Sequence, residues 1–128
     1  MNAEQSKRGG GPPPLLGAVK KIVLIVSVLL VCFYGVCLGR CELLTAVHGR
    51  EFEGLELGTG LLERSDSLKV LDYSAAEASV YYVGPERSNG NVLRFSRSGG
   101  TGPWELTGWN TVWSESGSAD GLVWPYLR

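Results

Sequence analysis

The feature that most constrains this 128-residue chain is the run Ile22–Leu38, IVLIVSVLLVCFYGVCL. At a helical rise of about 1.5 Å per residue its length reaches roughly 25 Å, close to the thickness of a bilayer's hydrocarbon core. Only Ser27 and Tyr34 within it carry polar groups of any strength. A helix this apolar belongs in lipid, because soluble cores seldom use such long uninterrupted runs. A cleaved secretory signal has a shorter apolar region that ends in small residues. Gly35-Val36-Cys37 and Cys37-Leu38-Gly39 place small residues at alternate positions, but neither is the preferred Ala-x-Ala. Arg40 stands where a lipoprotein signal needs a small residue before Cys41. The sequence therefore favours an uncleaved signal-anchor with a single pass.

The flanks orient that anchor. Residues 1–21 carry Lys7, Arg8, Lys20 and Lys21 against Glu4, whereas from Arg40 onward eight Lys plus Arg face twelve Asp plus Glu. Positive-inside bias keeps the N-terminus cytoplasmic and exports the rest to the outer face of the cell membrane. The net charge of −1 thus hides a basic tail of +3 and an acidic outer part of −4. That acidity excludes nucleic acid as a partner, since phosphate backbones select basic surfaces. The partners expected are the lipid bilayer and a membrane or envelope protein; the composition sets no oligomeric state.

Four segments follow in order. Residues 1–18, MNAEQSKRGGGPPPLLGA, hold runs of three glycines and three prolines and read as a disordered cytoplasmic tail. Residues 19–41 form the transmembrane anchor. Within 42–67, Leu43, Leu44, Val47 and Phe52 recur at three-to-four spacing, so 42–53 reads as an amphipathic helical extension and 54–67 as an irregular linker broken by Gly54, Gly58 and Gly60.

From Leu68 to the end the period changes. LKVLDYS, ASVYYVG, NVLRFSRS, PWELTGW, NTVW and GLVWPY are short runs rich in β-formers separated by turn residues, the pattern of an antiparallel meander over 68–128. Asn89-Gly90 suggests a tight hairpin, and Ser98–Gly102 and Ser116–Gly121 suggest further reversals. Ser74–Glu77 matches a capping box, but the gap between strands is too short for a helix, so a loop is expected. Alternation sets Leu93 and Phe95 against Val92, Arg94 and Ser96, and Tyr81 and Val83 against Val80 and Tyr82.

The expected class is α+β: a transmembrane helix, then a small antiparallel meander packed on a short amphipathic helix. The expected core is Leu44, Val47, Leu68, Val70, Val83, Leu93, Phe95, Leu106 and Val112. In outline the layout resembles a type IV pilin or pseudopilin, but the apolar run lacks that family's internal glutamate and preceding glycine signal, so no family is assigned.

Chemistry-bearing motifs are sparse. His48 is the only histidine and has no cysteine pair at ligand spacing, so no metal or cofactor is expected. Cys32, Cys37 and Cys41 sit in or beside the apolar run and read as small helix residues. Glu51, Glu53 and Glu56 have the spacing of any solvated face, and Asp120 before Gly121 suits a turn. Ser114, Ser116 and Ser118 lack a nucleophile elbow, and no phosphate loop occurs. The expectation is a noncatalytic binding or accessory protein, held at the outer face as a component of an envelope complex. Its candidate binding residues are Trp104, Trp124 and Tyr126 in the aromatic C-terminus, while Trp109 and Trp113 are expected inside. The alternative is a glycan or cell-wall binding module that stacks sugars on exposed tryptophans.

Overall fold

The computed structural model describes residues 10–11, 14–117 and 121–127. Most of the expected tail and the Asp120 turn lie outside the described residues. The architecture is α+β: one long N-terminal helix, α1 (Pro14–Phe52), then four strands, β1 (Ser67–Tyr73), β2 (Glu77–Val83), β3 (Asn89–Ser96) and β4 (Glu105–Ser114). The chain divides into two compact units, one ending at Tyr34 and the other beginning at Gly35.

In the first unit α1 is apolar on every side beyond Lys20 and Lys21, so no stripe marks a face that packs against protein. Its best 18-residue window has a mean hydropathy of 2.8, and none of it is buried. The Ser27 hydroxyl donates to the Val23 carbonyl at 2.8 Å, so this side chain finds its partner within the helix. Pro14 opens the helix, where its missing N–H costs nothing. Among the described residues α1 is the one helix long and apolar enough to cross a membrane.

In the second unit the remainder of α1 covers one face of a sheet ordered β1-β2-β3-β4, every neighbouring pair antiparallel. Phe52 and the linker's Leu62 bury with Val70, Ala78, Val80, Tyr82, Leu93 and Phe95, while Leu44, Leu68 and Leu106 pack at the margin. The sequence phase of this helix is corrected at Val47, which is 63% exposed. The packed face instead carries Cys41, Thr45, Gly49 and Phe52. It includes polar and small residues because they do work that hydropathy does not register. Thr45 Oγ1 accepts the Val70 N–H at 2.8 Å, where β1 has a bulge, and Leu68 lies 3.6 Å from where a Cβ on Gly49 would stand. The Tyr82 hydroxyl donates to the Phe52 carbonyl at 2.7 Å, adding a strong partner to a helix-end acceptor that otherwise takes only the long 3.4 Å bond from the Leu55 N–H.

The opposite face is not bare. Tyr81, Val112 and Val123 form a second cluster, with Val83, Val92, Trp113 and Tyr126 beside them. The expected core therefore splits: Val70, Leu93 and Phe95 belong to the helix side, Val83 and Val112 to the other. GLVWPY, expected as a strand, is instead a folded segment whose Leu127 N–H returns to the Val123 carbonyl at 2.9 Å. Pro125 lacks the N–H a ladder needs, and the segment closes the second face with side chains.

Two expected strands, PWELTGW and NTVW, fuse into the ten-residue β4, which absorbs the irregularity through register shifts opposite Gly90/Asn91 and Arg94/Phe95. The Asn89-Gly90 hairpin is likewise corrected. The reversal falls at Gly84–Ser88, where Glu86 and Arg87 have φ of 52° and 57°, and Asn89-Gly90 lies inside β3. Gly90 is needed there for space, since a Cβ would overlap the Trp113 indole. Ala75 and Ala76 form the expected short loop, closed by Ser74 N–H to the Glu77 carbonyl at 2.7 Å. The Ser98–Gly102 reversal also stands, with Gly99 and Gly100 at φ of 65° and 73°.

Candidate binding surface

The candidate aromatic residues have distinct surroundings. Trp104, delivered just before β4, packs against Phe52 with ring centroids 5.2 Å apart and against Tyr73 at 5.8 Å. Its indole N–H donates to Glu51 at 3.2 Å, and the Arg97 guanidinium lies 4.2 Å from its ring centroid. Tyr126 belongs to the opposite face, where it stacks on Tyr81 at 6.5 Å and donates its hydroxyl to Glu42 at 3.0 Å. Burial and the acceptor Glu42 push the Tyr126 phenol well above its ordinary range. Lys69 completes this corner, with its ammonium 2.6 Å from Glu42. The Lys69 hydrogen bond, reinforced by the one from Tyr126, holds the Glu42 carboxyl below its usual value despite desolvation.

Trp113 donates its indole N–H to the Tyr81 hydroxyl at 2.7 Å and is half-buried. Trp109, expected inside, is 58% exposed. It pairs with Leu93 across the ladder and so shares the helix-facing side, but β4 is the last strand, and an edge position leaves large side chains in solvent. Trp124 is 46% exposed. The accessible aromatic surface is therefore Trp109 and Trp124, whereas Trp104 and Tyr126 are tied into polar corners. Alternation alone did not separate these roles, because it marks a face and not whether the face is covered.

The polar corner around Glu51 is the densest constellation among the described side chains. His48 Nδ1 lies 2.7 Å from its carboxylate, the Tyr73 hydroxyl donates at 3.2 Å, and Arg97 stands at 3.6 Å. His48 also stacks on Tyr73 with centroids 3.6 Å apart, and the Arg97 guanidinium donates to the Tyr73 hydroxyl at 3.0 Å. Burial alone would raise the Glu51 carboxyl, but the hydrogen bonds from His48, Trp104 and Tyr73 outweigh it and hold the group low. A histidine beside a carboxylate invites an acid–base role. Here the contacts of Glu51 with His48, Tyr73, Trp104 and Arg97 also fasten the end of α1 to β1, to the residue after β3 and to the entry of β4. The i,i+3 spacing of His48 and Glu51 was the available sequence clue to this corner; Arg97 and Tyr73 gave none.

The other acids do not join it. Glu53 is exposed, and Glu56 is a buried residue of the linker itself. No group of three or more His, Cys, Asp or Glu residues among the described residues is arranged to hold a metal ion. Against known proteins, no family model matches the chain, and no curated protein or solved structure shows significant similarity to it.

Proposed function

We propose that this chain is a single-pass, membrane-anchored binding or accessory protein without catalytic activity. Its N-terminus is cytoplasmic, and the part from Glu42 onward lies outside as a component of an envelope complex. The observation that carries the proposal is the first part of α1, whose apolar surface is entirely uncovered by protein. Lipid is the solvent that accepts such a surface. The basic residues on its N-terminal side supply the orientation. A sheet domain with both faces closed, and with Trp109 and Trp124 outside, suits recognition better than turnover.

The test is cross-linking and capture from intact membranes, paired with protease protection of sealed vesicles. Capture of one reproducible membrane protein, lost when Trp109 and Trp124 are both changed to Ala, supports the proposal. Capture unaffected by those changes and by replacement of the anchor removes its basis, as does protection showing the sheet domain on the cytoplasmic side.

Exposure of Trp109 and Trp124 also favours the second reading, a glycan or cell-wall binder. It predicts a saturable change in tryptophan emission on adding polysaccharide, absent in the Trp109→Ala, Trp124→Ala double variant.

A further inference from the structure

The last turns of α1, the linker after it and the start of β1 enclose a cleft of about 750 Å³. Glu56 lines it and is 5% exposed. One of its oxygens, Oε1, accepts a hydrogen bond from the Ser65 hydroxyl at 2.5 Å. The other, Oε2, is buried without any partner, the only such side-chain atom found among the described residues. A buried carboxyl oxygen left unpaired forfeits its hydration with no return, so the arrangement calls for a donor. The chain's own nearby cations do not supply one. Lys69 is engaged by Glu42 at 2.6 Å, and Arg64 faces Asp66 at 3.6 Å. Arg50 lines the cleft without reaching Glu56.

We infer that this cleft recognises a primary ammonium group on an alkyl stem, with Glu56 as its acceptor. The lining holds Glu53, Glu56 and Asp66 against Arg50 and Lys69; with Lys69 paired to Glu42 and Asp66 to Arg64, the carboxyl groups of Glu53 and Glu56 outweigh Arg50 and the balance is acidic. Leu57 and Leu68 line the same cleft and offer apolar surface to a methylene stem. A metal ion fits poorly, because no three ligating side chains converge there. The donor comes either from a free alkylamine or polyamine, or from a lysyl side chain of a partner protein. Oε2 is screened from water, so the groups that cover it must yield for the ammonium to reach it. The inference deepens the binding-protein reading and rests on it. The two fail separately: membrane capture can succeed where amine binding is absent, and the reverse.

The test is a titration of the isotope-labelled full chain in lipid nanodiscs, following the backbone amides of Glu56 and Ser65. The probes are n-butylammonium, spermidine, a short lysine-containing peptide, and n-butanol as the uncharged control. Saturable shifts are expected with n-butylammonium and not with n-butanol, and Glu56→Gln should weaken them by tenfold or more while leaving the melting temperature near that of the parent. Tighter binding of the peptide identifies a protein lysine as the source, and tighter binding of spermidine identifies a free amine. Absence of saturable shifts, equal response to n-butanol, or retention of parental affinity in Glu56→Gln would each overturn the inference. The n-butanol comparison needs no variant, so it stands even if Glu56→Gln fails to fold.

Discussion

Truncating Phe52 to alanine tests how the helix is joined to the sheet. Phe52 is fully buried, and its ring meets Trp104 at 5.2 Å, Phe95 at 5.6 Å and Tyr73 at 6.3 Å. Removing a buried phenylalanine ring costs about 3–5 kcal/mol, the lost transfer energy plus the cavity that neighbours only partly refill. For a domain of this size each kcal/mol lowers the melting temperature by about 4–8 °C, so a fall of at least ~12 °C is expected. Val47→Ala is the matched control: at 63% exposure it should change stability by no more than about 0.5 kcal/mol. The assay is urea unfolding of the full chain in detergent micelles, followed by tryptophan emission. All four tryptophans lie beyond residue 100, so the signal reports the sheet and its closing segment rather than the anchor. Equal losses in the two variants, or a loss below about 1 kcal/mol for Phe52→Ala, would refute the helical phase and the packing argument together.

Three further outcomes follow from particular contacts. Glu51 is held below its ordinary pKa, so its stabilising share is present above the unfolded-state value and is lost as pH falls through the folded one. Thermal melts at pH 7 and pH 3 should therefore show Glu51→Gln less stable than the parent at neutrality, with the difference shrinking in acid. Gly90→Ala forces a methyl group into the Trp113 indole and should cost about 1–3 kcal/mol by thermal melting, much of it recovered in a Trp113→Ala background. Leu29→Lys places a charge mid-way along the apolar window, where insertion loses roughly 2.5–3.5 kcal/mol, and alkaline carbonate extraction should release more of the protein.

Several elements were legible from residue order because their causes are local. The apolar run of α1, the strands at 68–73, 78–83 and 91–96, and the glycine reversal after Ser98 each follow from periodicity or from backbone freedom at single residues. Asn89-Gly90 misled for a reason that local rules omit. Its glycine answers to the bulk of Trp113, a residue 23 positions further on, and not to a turn. Val47 misled similarly, since counting apolar side chains gives no weight to Thr45, whose hydroxyl takes the Val70 N–H. The Glu51 corner draws on α1, β1, the residue after β3 and the entry to β4, and no window of sequence holds all four.

Residue order by itself determined the apolar helix, its basic flank, the change from helical to strand period near Leu68, and the absence of familiar catalytic motifs. These depend on properties summed over neighbours in the chain. Tertiary structure alone decided which face of the helix packs, that the final segment closes the second face, and that Trp109 rather than Trp104 stands in solvent. It also decided that one oxygen of Glu56 is buried without a donor. Burial and hydrogen-bond satisfaction are properties of what approaches from elsewhere in the chain, and a side chain's identity states only what it needs, not whether the fold supplies it.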